Sequence, residues 1–351
     1  MSAVRGVAKR SRTPRPRRAV RSRGDGAGEV RARLRRAEQA LAEAQQELAR
    51  RPPAPPRDGL LVGLARLAQS GLRSVGWQAL GRLQAALYFS WHSEQVDEFG
   101  FDSAFSDALK PFLDFLYSAW WRVDVAGMEH VPDDGPGLIV ANHSGVLPYD
   151  GAMVKLAIRN QHARRRECRM LMLDMFALLP FLAPALTKHG EVRASPDNAE
   201  RLLRGGSLVG VFPEGVKGVG KYFRDRYRLA RFGRGGFVRV ALRTGAPIIP
   251  CAVVGAEEIH PIVGRADWIG RRLGFPYFPL TPTFPWLGPL GLVPLPTKWS
   301  IDFGQPILPS EYGPEGADDP ILVNRLSEEV RARVQEMIDG RIARRRSLWF
   351  G

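Results

Sequence analysis

Two short stretches of this 351-residue chain carry side chains that could do chemistry together. The first reads Leu138-Ile139-Val140-Ala141-Asn142-His143-Ser144-Gly145-Val146-Leu147-Pro148-Tyr149-Asp150. An apolar run of strand type ends on Asn142-His143, and open α/β sheets place their reactive groups at the carboxyl ends of strands. A carboxylate bonded to one imidazole nitrogen fixes the tautomer and makes the other nitrogen a stronger base. Such a pair can take the proton from an alcohol that attacks an activated acyl group. Asp150 is the carboxylate at hand. A regular helix would hold it about 10 Å from His143. Gly145 and Pro148 must therefore fold the segment back as a loop if the two are to meet. The local sequence leaves a second arrangement open, in which Asp150 only caps its helix and His143 is a buried, hydrogen-bonded residue.

The second stretch is Val209-Gly210-Val211-Phe212-Pro213-Glu214-Gly215, again a strand running into a turn. Pro213 sets the turn, Gly215 lets the backbone approach a ligand, and Glu214 is held at the strand end. Behind it, residues 217–239 hold eight Lys and Arg, beginning with Lys217 and Lys221, against Asp225 alone. Five aromatic residues, from Tyr222 to Phe237, are interleaved with them. This composition suits a phosphate-binding face beside a carboxylate; an ordinary solvated basic surface is the other reading.

Several chemistries drop out. Gly215 to Tyr222 approaches a nucleotide-binding phosphate loop, but Tyr222 stands where that loop needs Ser or Thr for magnesium. No G-x-S-x-G elbow occurs. Cys168 and Cys251 are too few for a disulfide framework or a four-cysteine zinc site, and both read as structural. His130, His162, His189 and His260 lack metal-ligand spacing. A covalent acyl-enzyme is not supported, so direct attack by the acceptor hydroxyl is favoured, with no metal.

The elements that must position these groups alternate. Strands are expected over 122–125, 137–141, 208–212 and 248–254, with a late one over 299–303. Helices are expected over 106–121, 151–160, 198–204, 236–244 and 321–346. The fold class that follows is α/β: a single mixed, partly parallel sheet flanked by helices, with an N-terminal helical extension. The domain reading is a basic tail, amphipathic helix and Pro-rich linker over 1–58, helices able to lie in a membrane interface over 59–121, a catalytic domain over 122–310, and a C-terminal helix over 311–351. Leu34, Leu41 and Leu48 recur every seventh residue, which leaves self-association through residues 30–51 open.

The net charge of +15 calls for an anionic partner. Residues 1–29 hold nine Arg and Lys against Asp25 and Glu29 and read as a disordered arm. No stretch is apolar for long enough to span a bilayer. Residues 170–187, with Asp174, Pro180 and Pro184, read as a buried or interfacial segment. The Pro-rich apolar run 275–296, containing Trp286, reads as a greasy surface loop able to dip into a bilayer or to pack internally.

The two constellations together resemble the glycerolipid acyltransferase family, which includes the 1-acylglycerol-3-phosphate acyltransferases. Its Asn-His motif with a following aspartate corresponds to Asn142-His143 and Asp150. Its Phe-Pro-Glu-Gly motif corresponds to Phe212-Pro213-Glu214-Gly215. Phe232-Gly233-Arg234-Gly235-Gly236, Ala241 and Gly245-Ala246-Pro247-Ile248-Ile249-Pro250 resemble later blocks, so the likeness spans about residues 120–306. The resemblance implies His143 as general base, Asp150 as its orienting partner, Glu214 and Gly215 at the acceptor's glycerol or phosphate, and Pro250 on the acyl-donor side. Asn142, Phe212, Pro213, Lys217 and Lys221 complete the expected substrate-binding set. Gly190-Glu191-Val192-Arg193 is placed as the acceptor block, with Arg193 on the phosphate. Two spacings depart from the family's pattern: six residues, not four, separate His143 from Asp150, and the acceptor block comes early.

The implied activity is transfer of a fatty acyl group from an acyl-CoA or acyl carrier protein thioester to a hydroxyl of a lysophospholipid, without metal or organic cofactor. The expected location is a peripheral or monotopic one at the cytoplasmic face of an anionic membrane. A neutral glyceride or an amino-lipid as acceptor is the alternative within the same chemistry. A basic nucleic-acid-binding or nucleotide-binding protein is the competing class; the apolar segments beside the charge favour lipid.

Overall fold

The most apolar runs of the sequence, Gly137–Ala141 and Ile248–Val254, are buried at every position in the computed structural model. The structure describes residues 96–351 apart from 145–146, 174–181, 273–274 and 276, together with Gln39. The chain divides into two units, Met1–Ser74 and Val75–Gly351; apart from Gln39, the described residues belong to the second. The expected basic tail, the Pro-rich linker and, but for Gln39, the amphipathic helix lie outside them, as do residues 59–95 of the expected 59–121 helices.

In chain order the strands are β1 Asp124–Ala126, β2 Gly137–Ala141, β3 Cys168–Met172, β4 Val192–Arg193, β5 Leu208–Val211, β6 Ile248–Val254, β7 Gly264–Arg265, β8 Pro279–Leu280 and β9 Ser300–Phe303. The α-helices are α1 Ser103–Phe115, α2 Tyr149–Gln161, α3 Leu182–His189, α4 Pro196–Arg204, α5 Val216–Val219, α6 Gly236–Thr244, α7 Asp267–Arg272 and α8 Pro320–Arg344. Seven strands form one sheet in the order β1-β9-β6-β2-β5-β3-β4, and β7 and β8 form a separate antiparallel ribbon. From β6 to β4 all neighbours are parallel. β9 runs antiparallel to β6 and carries β1 parallel to itself. The mixed, mostly parallel sheet flanked by helices agrees with the sequence expectation.

Helices cover both faces, which is why the central strands read as unbroken apolar runs instead of alternating ones. Ile139, Ala141, Met170, Ile249 and Val253 pack with α1 and α2 on one face. Leu138, Val140, Val209, Ile248 and Val254 pack with α4, α6 and α8 on the other. Helix starts follow the cap chemistry: Asp102, Ser195 and Asp319 each accept a main-chain N–H one turn on, and Pro196 and Pro320 hold the first helical position.

Two expectations need correction. The first strand begins at Asp124, because Arg122 takes a positive φ of 45° and spends its guanidinium on the Trp120 and Pro296 carbonyls. The helix expected over 106–121 starts at Ser103 and ends in a π turn over Leu116–Trp120. The 170–187 segment opens inside β3 and closes in α3, with 174–181 outside the described residues. β3 escaped notice because arginines 164–166 precede it, although its burial alternates strictly along Cys168–Met172.

Candidate active site

β2 ends at Ala141 in the middle of the sheet, and the next three side chains decide the local geometry. Asn142 donates its amide N–H to the Val253 carbonyl at 2.9 Å and accepts the Val253 N–H at 2.7 Å. It therefore extends the β2–β6 pairing by one rung with a side chain. With both ends of its amide taken and no exposure, Asn142, expected in the substrate-binding set, holds the strand end.

His143 follows. Its main-chain N–H donates to Glu214 Oε1 at 3.0 Å, and its ring stacks on Phe212 with centroids 4.4 Å apart and planes 12° from parallel. Nδ1 lies 2.7 Å from Asp150 Oδ2. The same oxygen accepts the Ser144 N–H at 2.9 Å, and Oδ1 accepts the Gly151 N–H at 2.9 Å. The two side chains do meet, and Asp150 reaches the imidazole from the first turn of α2. Asp150 is fully buried with charge-assisted donors around it. A carboxylate in this position holds the proton on Nδ1 and leaves Nε2 as the basic nitrogen.

His143 lines a cleft that opens to solvent. Gly151, Met170, Leu171, Met172, Val211 and Phe212 supply its apolar walls, with Leu186 and Glu191 further in. A Cβ at Gly151 would rest in ordinary van der Waals contact with Met170 and Phe212, at 3.5 and 3.6 Å. β3, the strand hidden in the sequence, thus builds one side of the cleft.

Beyond the cleft wall, Glu191 is the centre of a buried cluster. Lys155 Nζ donates to its Oε1 at 3.1 Å, and His189 Nδ1 lies 3.1 Å from the same oxygen. Burial alone would raise the Glu191 carboxyl, but Lys155 and His189 outweigh it and hold the group at about 2. Arg193, two residues on, is an exposed residue of edge strand β4, in register with Met172 of the cleft wall.

The Phe212-Pro213-Glu214-Gly215 turn has Gly215 at φ 56°, ψ −143°, a conformation closed to residues with a Cβ. The Glu214 side chain is wholly buried. It accepts the His143 and Ala230 main-chain N–H groups at 3.0 and 2.7 Å and pairs with Lys221 at 3.2 Å. Lys221 also reaches Glu257 Oε1 at 3.0 Å and the Arg228 carbonyl. Glu214 was expected at the acceptor and Lys221 in the substrate-binding set; in this structure the two tie the 143, 214, 230 and 257 loops together. Lys217 is exposed on α5. Pro250, expected on the acyl-donor side, is buried in β6 opposite Val140. Burial raises the Glu257 carboxyl to about 7, against the pull of Lys221.

Two further residues were missed. Glu257 lies in an ordinary-looking Gly-Ala-Glu-Glu turn. Gly218 lets α5 lie over the site, since a Cβ there would stand 2.8 Å from the Cβ atoms of both Glu214 and His143. The sequence signal for Gly218 was its place in the Gly-rich run that resembled a nucleotide loop. Both cysteines are buried and unpaired, and burial pushes the Cys168 thiol up to about 12, far from a reactive thiolate.

The Acyltransferase family profile matches residues 122–254, the span holding β1 to β6 and both motifs. An uncharacterized protein of Mycobacterium tuberculosis is 50% identical over 257 residues, covering 73% of this chain and 72% of that protein. The chain belongs to the glycerolipid acyltransferase family. Two more distant relatives have named activities. The Homo sapiens DGAT1/2-independent enzyme synthesizing storage lipids is 26% identical over 63% of this chain and 62% of its own. The Brassica napus chloroplastic 1-acyl-sn-glycerol-3-phosphate acyltransferase BAT2 is 25% identical over 43% of this chain and 45% of its own. As a member of the family the chain is an O-acyltransferase, acting between an acyl donor and a glycerolipid-like acceptor. Among the described residues no helix is long and apolar enough to cross a membrane.

Proposed function

We propose that this acyltransferase moves a fatty acyl group from an acyl-CoA or acyl carrier protein thioester to a free hydroxyl of a lysophospholipid such as 1-acylglycerol-3-phosphate. The observation that carries the reading is the 2.7 Å His143–Asp150 pair at the wall of an apolar cleft. In this mechanism His143 Nε2 takes the acceptor's hydroxyl proton as that oxygen bonds to the thioester carbonyl carbon. The carbon–sulfur bond then breaks, and the imidazolium returns the proton to the departing thiolate. Asp150 stabilises the transient imidazolium and fixes the ring. An aliphatic chain suits the Met170–Phe212 walls, and Arg193 and Lys217 are the exposed cations offered to a phosphate.

A neutral glyceride is the second reading, and one observation favours it: Lys221, the cation nearest the motif, is already neutralised by Glu214 and Glu257. The storage-lipid function in the human relative's name points the same way. The purified chain incubated with one acyl-CoA and a panel of lysophospholipid, monoacylglycerol and diacylglycerol acceptors, read by mass spectrometry, separates the two. Preferred acylation of the phosphate-bearing acceptor supports the first reading, and preference for the uncharged ones supports the second. In either case His143→Ala is expected to lower kcat by about 10²–10⁴ with an unchanged unfolding midpoint. Wild-type turnover in that variant would overturn the mechanism.

A further inference from the structure

The carboxyl ends of β2, β5 and β6 lie at one end of the sheet, which therefore carries His143, the Glu214 turn and the long excursion 255–299 together. Instead of folding its apolar side chains inward, that excursion turns several of them out. Trp286 is 73% exposed and Leu290 72%, with Leu287 and Val293 beside them and Trp268 on α7 also exposed. The face continues onto the first helix. Trp120 donates its indole N–H to the Pro294 carbonyl at 3.0 Å, and α1, which leads to Trp120, exposes Phe112 and Phe115.

This surface is coupled to the dyad by packing. Trp121 donates to the Leu295 carbonyl at 3.1 Å, and its ring meets Tyr149, the neighbour of Asp150, edge-on at 5.1 Å. Charge flanks it. Arg271 and Arg272 are exposed on α7 beside Trp268, and the Phe223 N–H bond to the Ile262 carbonyl holds the exposed Arg224 against the same excursion. An apolar face that includes tryptophans, rimmed by arginines, matches the layering of an anionic bilayer surface: acyl tails beneath, indoles at the headgroup level, guanidiniums on phosphates. A large exposed apolar patch on a protein surface calls for a partner of some kind. The acceptor of a glycerolipid acyltransferase resides in such a surface, and the patch lies at the end of the sheet where that acceptor must arrive.

We propose that the face built from Trp286, Leu287, Leu290 and Val293 with Phe112 and Phe115 docks this enzyme on an anionic lipid surface, its reactive end toward the lipid. The proposal deepens the acyl-transfer reading, but it is tested without turnover. Cys168 and Cys251 are buried, so an environment-sensitive dye can be placed on Leu290→Cys in the full chain. The control carries it on Ile321→Cys, an exposed site on α8. Phosphatidylcholine vesicles with phosphatidylglycerol are expected to brighten and blue-shift the dye at 290 and not at 321. Omitting phosphatidylglycerol or adding salt should weaken the response. Adding Trp286→Ser should raise the lipid concentration at half-saturation by about tenfold.

Vesicles that carry the protein down while the dye at 290 stays unchanged would overturn the proposal, because attachment would then run through other residues. So would a dye response that follows protein concentration without lipid, which would mark the face as a contact between two copies. Turnover of a short-chain, monomeric acceptor is measured in parallel. Lost docking with intact turnover sinks the docking surface alone; intact docking without turnover sinks the acyl-transfer reading alone.

Discussion

His143 owes its setting to the residues packed and hydrogen-bonded around it. Asn142 fixes the strand end, Glu214 holds the His143 main chain, Phe212 supports the ring and Asp150 orients it. Gly218 tests this arrangement most directly, because its added Cβ would press on both His143 and Glu214. Gly218→Ala is expected to lower kcat by about 10²-fold, the usual cost of shifting a reacting group by about 1 Å, with KM for the acyl donor nearly unchanged. Gly236→Ala, at a position with open space for a Cβ, serves as the control and should keep wild-type rates. Equal kcat in both variants would show that α5 does not fix the base.

At the scale of elements, the closing helix is pinned to the turn that follows β6. Arg345, just past α8, makes a bidentate pair with Glu258 at 2.7 Å on both arms, and neither side chain is more than 9% exposed. Arg345 also reaches the Lys298 carbonyl, so one guanidinium joins α8, the β6 turn and the approach to β9. Arg345→Met leaves the Glu258 charge buried without its partner, and removing one member of a buried pair costs about 3–5 kcal/mol. Urea unfolding should show that loss at neutral pH, and Arg345→Met with Glu258→Gln should recover part of it. A single variant as stable as wild type would mean that the pair contributes nothing to holding α8. The helices and central strands were legible because their patterns are local: caps, Gly and Pro punctuation, and apolar runs. β3 and the late start of β1 were not, because what places them is pairing with β5 and β9 over long sequence distances.

Across the whole molecule, two buried carboxylates set opposite pH responses. Glu191 is held at about 2 against an ordinary 4.5, so its contribution to stability is present above 4.5 and is lost as pH falls through about 2. Glu257 is raised to about 7 from 4.5, so its contribution is present below 4.5 and is lost as pH rises through about 7. Denaturant midpoints taken between those limits should therefore fall on both sides for the wild type. Glu191→Gln should flatten the acid limb alone, and Glu257→Gln the limb toward neutrality alone. A variant curve parallel to wild type on its own limb would remove that residue as the cause.

The sequence by itself determined the chemistry and the class of fold. Asn-His with a later aspartate, Phe-Pro-Glu-Gly, and apolar runs alternating with amphipathic ones are carried by residue type and short spacing, and these survive without coordinates. Only the tertiary structure decided which partners each polar group meets inside the protein. Glu214, Lys221 and Asn142 read as ligand-binding residues in a linear string, and in the structure they make hydrogen bonds to Ala230, Glu257 and Val253, partners between 16 and 111 residues away. Whether a polar side chain meets a ligand or another loop depends on burial and on which atoms stand within about 3 Å of it. The same holds for His143 and Asp150, seven positions apart in sequence and 2.7 Å apart in the structure.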